Sequence, residues 1–158
     1  MILAEIAHWN VFELFSGPWF WCGLGGWVSA SVIKMFIAAA KTRKFDFTYM
    51  VRTGGMPSSH SATVTGIAFS IGYTEGFGTP LCVLAVTFAV VTMFDAATVR
   101  RAAGEHAKVL NAIVRDIKEL KLKPQRRFKE LLGHTRTEVV WGMVTGIVWS
   151  TLVSFLWK

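Results

Sequence analysis

Two histidine-bearing stretches carry the chemistry this chain could perform. Residues 54–63 read GGMPSSHSAT, and residues 133–138 read GHTRTE. In the first, Gly54 and Gly55 allow positive φ and close approach of the backbone to a ligand. Pro57 suits the first turn of a helix, and Ser58 or Ser59 could cap it. Free backbone N–H groups and hydroxyls at a helix N-terminus bind anions. His60, in that first turn, could donate a proton to a leaving oxygen near neutral pH. Taken alone, the stretch also fits a capped helix start with a surface histidine. In the second stretch, His134 and Glu138 are four apart and share a helix face. A carboxylate there fixes the tautomer of the imidazole and supports its charged form. The other ring nitrogen is then free to attack phosphorus. Taken alone, HxxxE is also a routine helix-stabilising pair, with Thr135 or Thr137 as cap.

A third stretch, DAATVRR at 95–101, adds cations. Arg100 and Arg101 could clamp phosphate oxygens, or simply mark the cytoplasmic end of a span. Asp95, acidic near the end of an apolar run, is either functional or paired with a neighbouring arginine. Lys34, inside another apolar run, is a functional cation or one that snorkels to the interface. Asn111 and His106 fall on a downstream helix. Asn111 is a supporting candidate beside Asp95, although an exposed helix position suits both. An anion-binding turn with a histidine, an arginine pair and a second histidine with a carboxylate make a kit for phosphoryl transfer through a phosphohistidine.

The elements that must position these residues are apolar. Of 158 residues, 53% are hydrophobic and seven are tryptophan, too apolar for an ordinary soluble domain of this length. Spans of roughly 20 mostly apolar residues are therefore expected. Four segments qualify: about 19–40, 60–77, 79–97 and 138–157, the second weaker and rich in Ser, Thr and Gly. Trp19, Trp21, Trp141 and Trp157 fall near their ends, as interfacial aromatics do. Gly142 and Gly146 form a GxxxG pair suited to close helix contact. Residues 1–16 lack the basic start of a signal peptide and suit an interfacial amphipathic helix, which would carry His8. Between spans three and four, Val99, Ala103, Leu110, Ile113, Ile117 and Leu120 recur at helical spacing. Pro124 breaks that pattern, and a short basic helix is expected to about Leu132. The reading is all-α: a single membrane domain over 1–158, with four spans, an N-terminal interfacial helix and a basic helical insert at 98–136.

The charge, +7 overall, orients the bundle. Lys41, Arg43, Lys44 and Arg52 lie between spans one and two, and Arg100 through Arg136 supply eleven cations between spans three and four. The positive-inside rule puts both loops in the cytoplasm and both termini outside. His60, Arg100, Arg101 and His134 then share one membrane face. Topology accounts for the positive charge, and no nucleic-acid motif is present, so nucleic acid is not an expected partner. Cys22 and Cys82 sit in apolar runs without metal-ligand spacing, and no disulfide framework is expected.

These blocks resemble the type 2 phosphatidic acid phosphatase superfamily, related to vanadium haloperoxidases, and more closely its small divergent branch of bacterial and plant membrane proteins. The likeness runs from about Lys34 to the last span, strongest at GGMPSSHSA, DAATVRRAAGEHAKVLN and LGHTRTEVVWGMVTGI. The superfamily's Pro-Ser-Gly-His motif matches Pro57-Ser58-Ser59-His60, which implies that His60 is the leaving-group acid. Its Arg and His-x-x-x-Asp motif implies His134 as nucleophile, Glu138 as orienting carboxylate and Arg100 or Arg101 as a phosphate ligand. Lys34 with Arg43 stands in for the family's Lys and Arg seven positions later, with Lys41 and Arg52 as rivals. Ser59 replaces Gly, Glu138 replaces Asp, the gap from Arg to His is longer, and four spans replace six. The resemblance implies a metal-free, cofactor-free hydrolase of a lipid phosphate or diphosphate, of the phosphatidic acid, phosphatidylglycerophosphate or polyprenyl phosphate type. Lys34, Arg100, Arg101, Gly55, Ser58 and Ser59 would hold the phosphate in a bacterial inner membrane, at the cytoplasmic face. The competing reading is a non-catalytic protein that binds anionic headgroups or a partner through the basic helix. A thin bundle of this size also fits a homodimer.

Overall fold

The computed structural model describes residues 10–51, 54–119 and 133–157. All regular structure among them is helical. Five long helices are α1 (Pro18–Thr42), α2 (Ser59–Glu75), α3 (Pro80–Ala97), α4 (Val99–Glu119) and α5 (Arg136–Leu156). Each of the four expected spans coincides with a helix to within two residues. Their starts are set by local chemistry. Thr79 and Thr135 cap α3 and α5 through their hydroxyls, and prolines open α1 and α3.

Among the described residues, three stretches are long and apolar enough to cross a membrane: Pro18–Thr42, Pro80–Arg115 and Arg136–Leu156. The count of four spans is not reached on that measure, and α2 is the reason. It has 17 residues, about 25 Å at 1.5 Å per residue, against a hydrocarbon core of roughly 30 Å. It is also the helix around which α1, α3 and α5 pack. A helix enclosed by protein must be small rather than apolar. Ser59, Ser61, Ala62, Thr65, Gly66 and Ser70 are all buried on α2. Thr63 and Thr65 turn their hydroxyls back to the carbonyls of Ser59 and Ser61.

The seam between α2 and α5 brings backbone onto backbone. A Cβ on Gly142 would collide with the Ser58 carbonyl oxygen, and one on Gly146 with that of Ala62. On the α1 side, a Cβ on Gly26 would meet the same Ala62 oxygen at 2.7 Å. The GxxxG pair therefore serves packing. By contrast α3 leaves most of its apolar side chains outward, including Leu84, Phe88 and Phe94, as a lipid-facing helix does. Both cysteines are buried and free.

Two expectations fall wholly or partly outside the described residues. Of the N-terminal helix over 1–16, positions 1–9 lie outside the described residues. Its remainder is a short 3-10 helix, Val11–Phe15, capped by Asn10. The basic helix expected between Pro124 and Leu132 also lies outside them. The helical insert itself is present as α4, amphipathic and packed, among the helices, only on α3.

Candidate functional site

The GGMPSSH stretch enters α2 through two glycines in the left-handed half of backbone space, Gly54 at φ 93° and Gly55 at φ 89°. Ser58 is the cap: its Oγ accepts the Ser61 N–H at 3.4 Å. Pro57 precedes the cap rather than opening the helix. The backbone N–H of Ser58 donates to the Glu138 carbonyl at 2.9 Å, tying this turn to the start of α5. Ser59 faces inward, its hydroxyl 3.1 Å from that of Ser31 and accepting from Lys34 Nζ at 3.2 Å. Lys34 is 4% exposed, so it is not a snorkelling lysine. Gly55 lies over its stem; a Cβ there would touch Lys34 Cγ and Cδ at 3.4 Å.

His134 sits just before α5 and is 3% exposed. Its backbone N–H donates to the Ala96 carbonyl at 3.1 Å, which fixes the turn to the end of α3. Its Nδ1 lies 3.1 Å from Glu138 Oε2. The same oxygen accepts the Thr135 N–H at 3.0 Å, while Thr135 Oγ1 accepts the Glu138 N–H at 3.3 Å. The helix-capping function and the orienting function are thus performed by one carboxylate. Burial pushes the His134 pKa below its ordinary value, and the hydrogen bond and charge of Glu138 oppose that fall. A neutral imidazole that donates Nδ1–H to a carboxylate leaves the Nε2 lone pair available. The proton is assigned to Nδ1 from that partner.

The third contribution comes from the start of α4. Arg100 Nε donates to Asp95 Oδ2 at 3.0 Å, and Arg100 Nη1 lies 3.4 Å from His60 Nε2. The His60 and His134 rings stand edge to face with centroids 6.1 Å apart. Arg100 and Arg101 part company here. Arg101 lines a recess of about 140 Å³ with Gly104, Glu105, Gly133 and Thr135. Gly133 lies so close to the Arg101 backbone that a Cβ would overlap its N and Cα. Asn111 is eleven residues past Arg100, about 16 Å farther along α4.

On the other side of Glu138 opens a cavity of about 540 Å³, lined by Lys34, Lys41, Tyr49, Gly55 and Thr137 among others. Neither histidine lines it; Glu138 is the shared wall. Lys34 and Lys41 are seven apart, two turns of α1, and so present the same face. Arg43 instead comes after the end of α1 in a left-handed conformation, φ 56°. The spacing of seven could have picked out Lys41 from the sequence. Tyr49 carried no signal of its own, and Thr137 entered only as a candidate cap.

A sequence profile described as "Divergent PAP2 family" matches residues 15–149. An uncharacterized membrane protein of Bacillus subtilis (strain 168), YuiD, is 40% identical over 139 residues, covering 81% of this chain and 88% of its own length. No solved structure matches.

Proposed function

This chain belongs to the divergent PAP2 family, and from that premise we propose that it is a membrane phosphatase, acting on a lipid phosphate or diphosphate at the cytoplasmic face. One observation carries the reading. His60, Arg100 and the His134–Glu138 pair, drawn from three distant segments, meet at one end of the bundle. Nε2 of His134 attacks phosphorus, and the bond from phosphorus to the leaving oxygen breaks. His60 gives its proton to that oxygen, releasing the alcohol or shorter phosphate. The substrate's own negative charge, arriving between Arg100 and His60, favours the protonated imidazole this step needs. Water then loses a proton to His60 and attacks the phosphohistidine, the P–N bond breaks, and inorganic phosphate leaves. Arg100 stabilises the phosphoryl oxygens in both steps. Lys34 adds positive charge from beneath.

The test is phosphate release by purified protein from phosphatidic acid, phosphatidylglycerophosphate, and polyprenyl phosphate and diphosphate. If none is turned over, or if His134→Ala and His60→Ala leave the rate intact, the reading fails.

A second reading has its own observation. Val99, Leu110 and Ile113 on α4 are 60%, 42% and 48% exposed, on a helix that also carries Arg101, Lys108 and Arg115. That is the make-up of a helix lying on anionic lipid. It predicts lipid binding that survives loss of either histidine and falls when those three cations are replaced.

A further inference from the structure

Below the site end of the bundle a second cavity, of about 410 Å³, runs between α1 and α5. Ile33 of α1 and Trp141, Val144, Trp149 and Leu152 of α5 line it, together with Met56. Met56 also lines the cavity that holds Lys34 and Lys41, which Glu138 separates from the histidines, so the two spaces share that residue. The two hydroxyl residues of the groove, Ser29 and Thr145, return their hydroxyls to carbonyls of their own helices, those of Gly25 and Trp141. The surface left facing the groove is hydrocarbon and indole. From Trp141 to Leu152 is about 16 Å of helix, roughly half the hydrocarbon thickness of a bilayer. The groove opens sideways, with Val144 and Leu152 partly exposed on its rim.

We propose that this groove seats one hydrocarbon chain of the lipid whose phosphate is held at the site. The identity of the headgroup rests on the phosphatase reading above; the chain-binding surface rests on the groove itself. A space that holds two lysines, set against an apolar groove with Met56 lining both, fits an amphiphile rather than a water-soluble phosphate ester.

The test compares phosphate monoesters with chains of 4 and 16 carbons, using the full chain in lipid nanodiscs. The longer ester is expected to have a kcat/KM at least about tenfold higher. Val144→Trp, which fills the groove, brings that ratio close to one. Leu152→Trp, at the deep end, lowers it by less. Equal kcat/KM for the two esters, or a ratio unmoved by both variants in protein that keeps its helical circular dichroism, overturns the proposal. A second arm needs no turnover. Phosphatidic acid brominated on its chains is expected to quench a component of tryptophan fluorescence that Trp141→Phe/Trp149→Phe removes, while chain-brominated phosphatidylcholine leaves that component intact. Equal quenching by both lipids assigns the groove to bulk lipid and overturns the proposal. Selective quenching without turnover of any ester keeps the groove and removes the phosphatase reading. Turnover without chain dependence does the reverse.

Discussion

The two histidines occupy opposite kinds of surroundings. His134 is buried, its backbone pinned to Ala96 and its ring to Glu138. His60 is exposed on the first turn of α2, its ring 3.4 Å from Arg100 and edge to face with that of His134. On the proposed phosphatase reading, the difference matches two different tasks. A nucleophile must be aimed along one line at phosphorus and kept neutral, which burial and a fixed tautomer achieve. A proton donor that later accepts from water must be reachable from solvent. Neither environment is a by-product of the motif itself: both histidines sit at helix starts beside a capping hydroxyl. The 133–135 turn is clamped between α3 and α4, whereas the face of α2 that carries His60 is left open, and that separates them.

That contrast can be broken by experiment, most severely at the buried histidine. His134→Ala is expected to lower kcat by on the order of 10,000-fold or more, and radiolabelled phosphate trapped on protein by an alkaline denaturing quench, in which the P–N bond survives, should vanish with it. A variant that still forms a phosphoprotein would transfer the nucleophile's role elsewhere. Glu138→Gln should cost about 100-fold or more and also move the pH profile. Glu138 raises the His134 pKa against the lowering by burial. Without its charge the acid limb of kcat/KM, already below the ordinary histidine value, shifts to still lower pH. A shift to higher pH would mean that the limb does not report His134. His60→Ala should cost about 100-fold on alkyl phosphates and much less on esters with acidic leaving groups, because those depart without a proton. An equal loss on both would argue against His60 as the acid. Smallest is the arginine comparison. Arg100→Lys should cost about tenfold, since a lysine cannot span Asp95 and the phosphate with a planar fork. Arg101→Lys should change the rate by about twofold at most, as its side chain lines a separate recess. Equal effects would erase the distinction between them.

Much of the architecture was legible along the chain because its signals are local. Helix extents follow from hydropathy, prolines and capping threonines, all within a turn of the residue they affect. The sharing of one face by the three motifs follows from where lysine and arginine accumulate. The His134–Glu138 pair follows from a spacing of four. The 17-residue α2 was legible as a helix but not in its place: its serines, threonines and glycines read as a weak span, and they also mark the helix on which α1, α3 and α5 pack.

Other features depend on contacts no spacing encodes. Arg100 and Arg101 are adjacent, and only the close approach of Gly133 to the Arg101 backbone assigns the first to His60 and the second to a different recess. Lys41 joins Lys34 because both lie on the same stripe of α1, while Arg43 falls past the helix end. Ser58 and Ser59, chemically alike, divide into a cap and an inward partner of Lys34 through the phase of α2. The sequence by itself determined an all-helical membrane chain with three chemically charged motifs at one end, because hydrophobicity, charge and capping act over a few residues. Tertiary structure alone decided which side chains face one another. Helix phase and glycine-mediated approach set orientations, and a difference of about 100° between adjacent residues is invisible until a neighbouring helix fixes it.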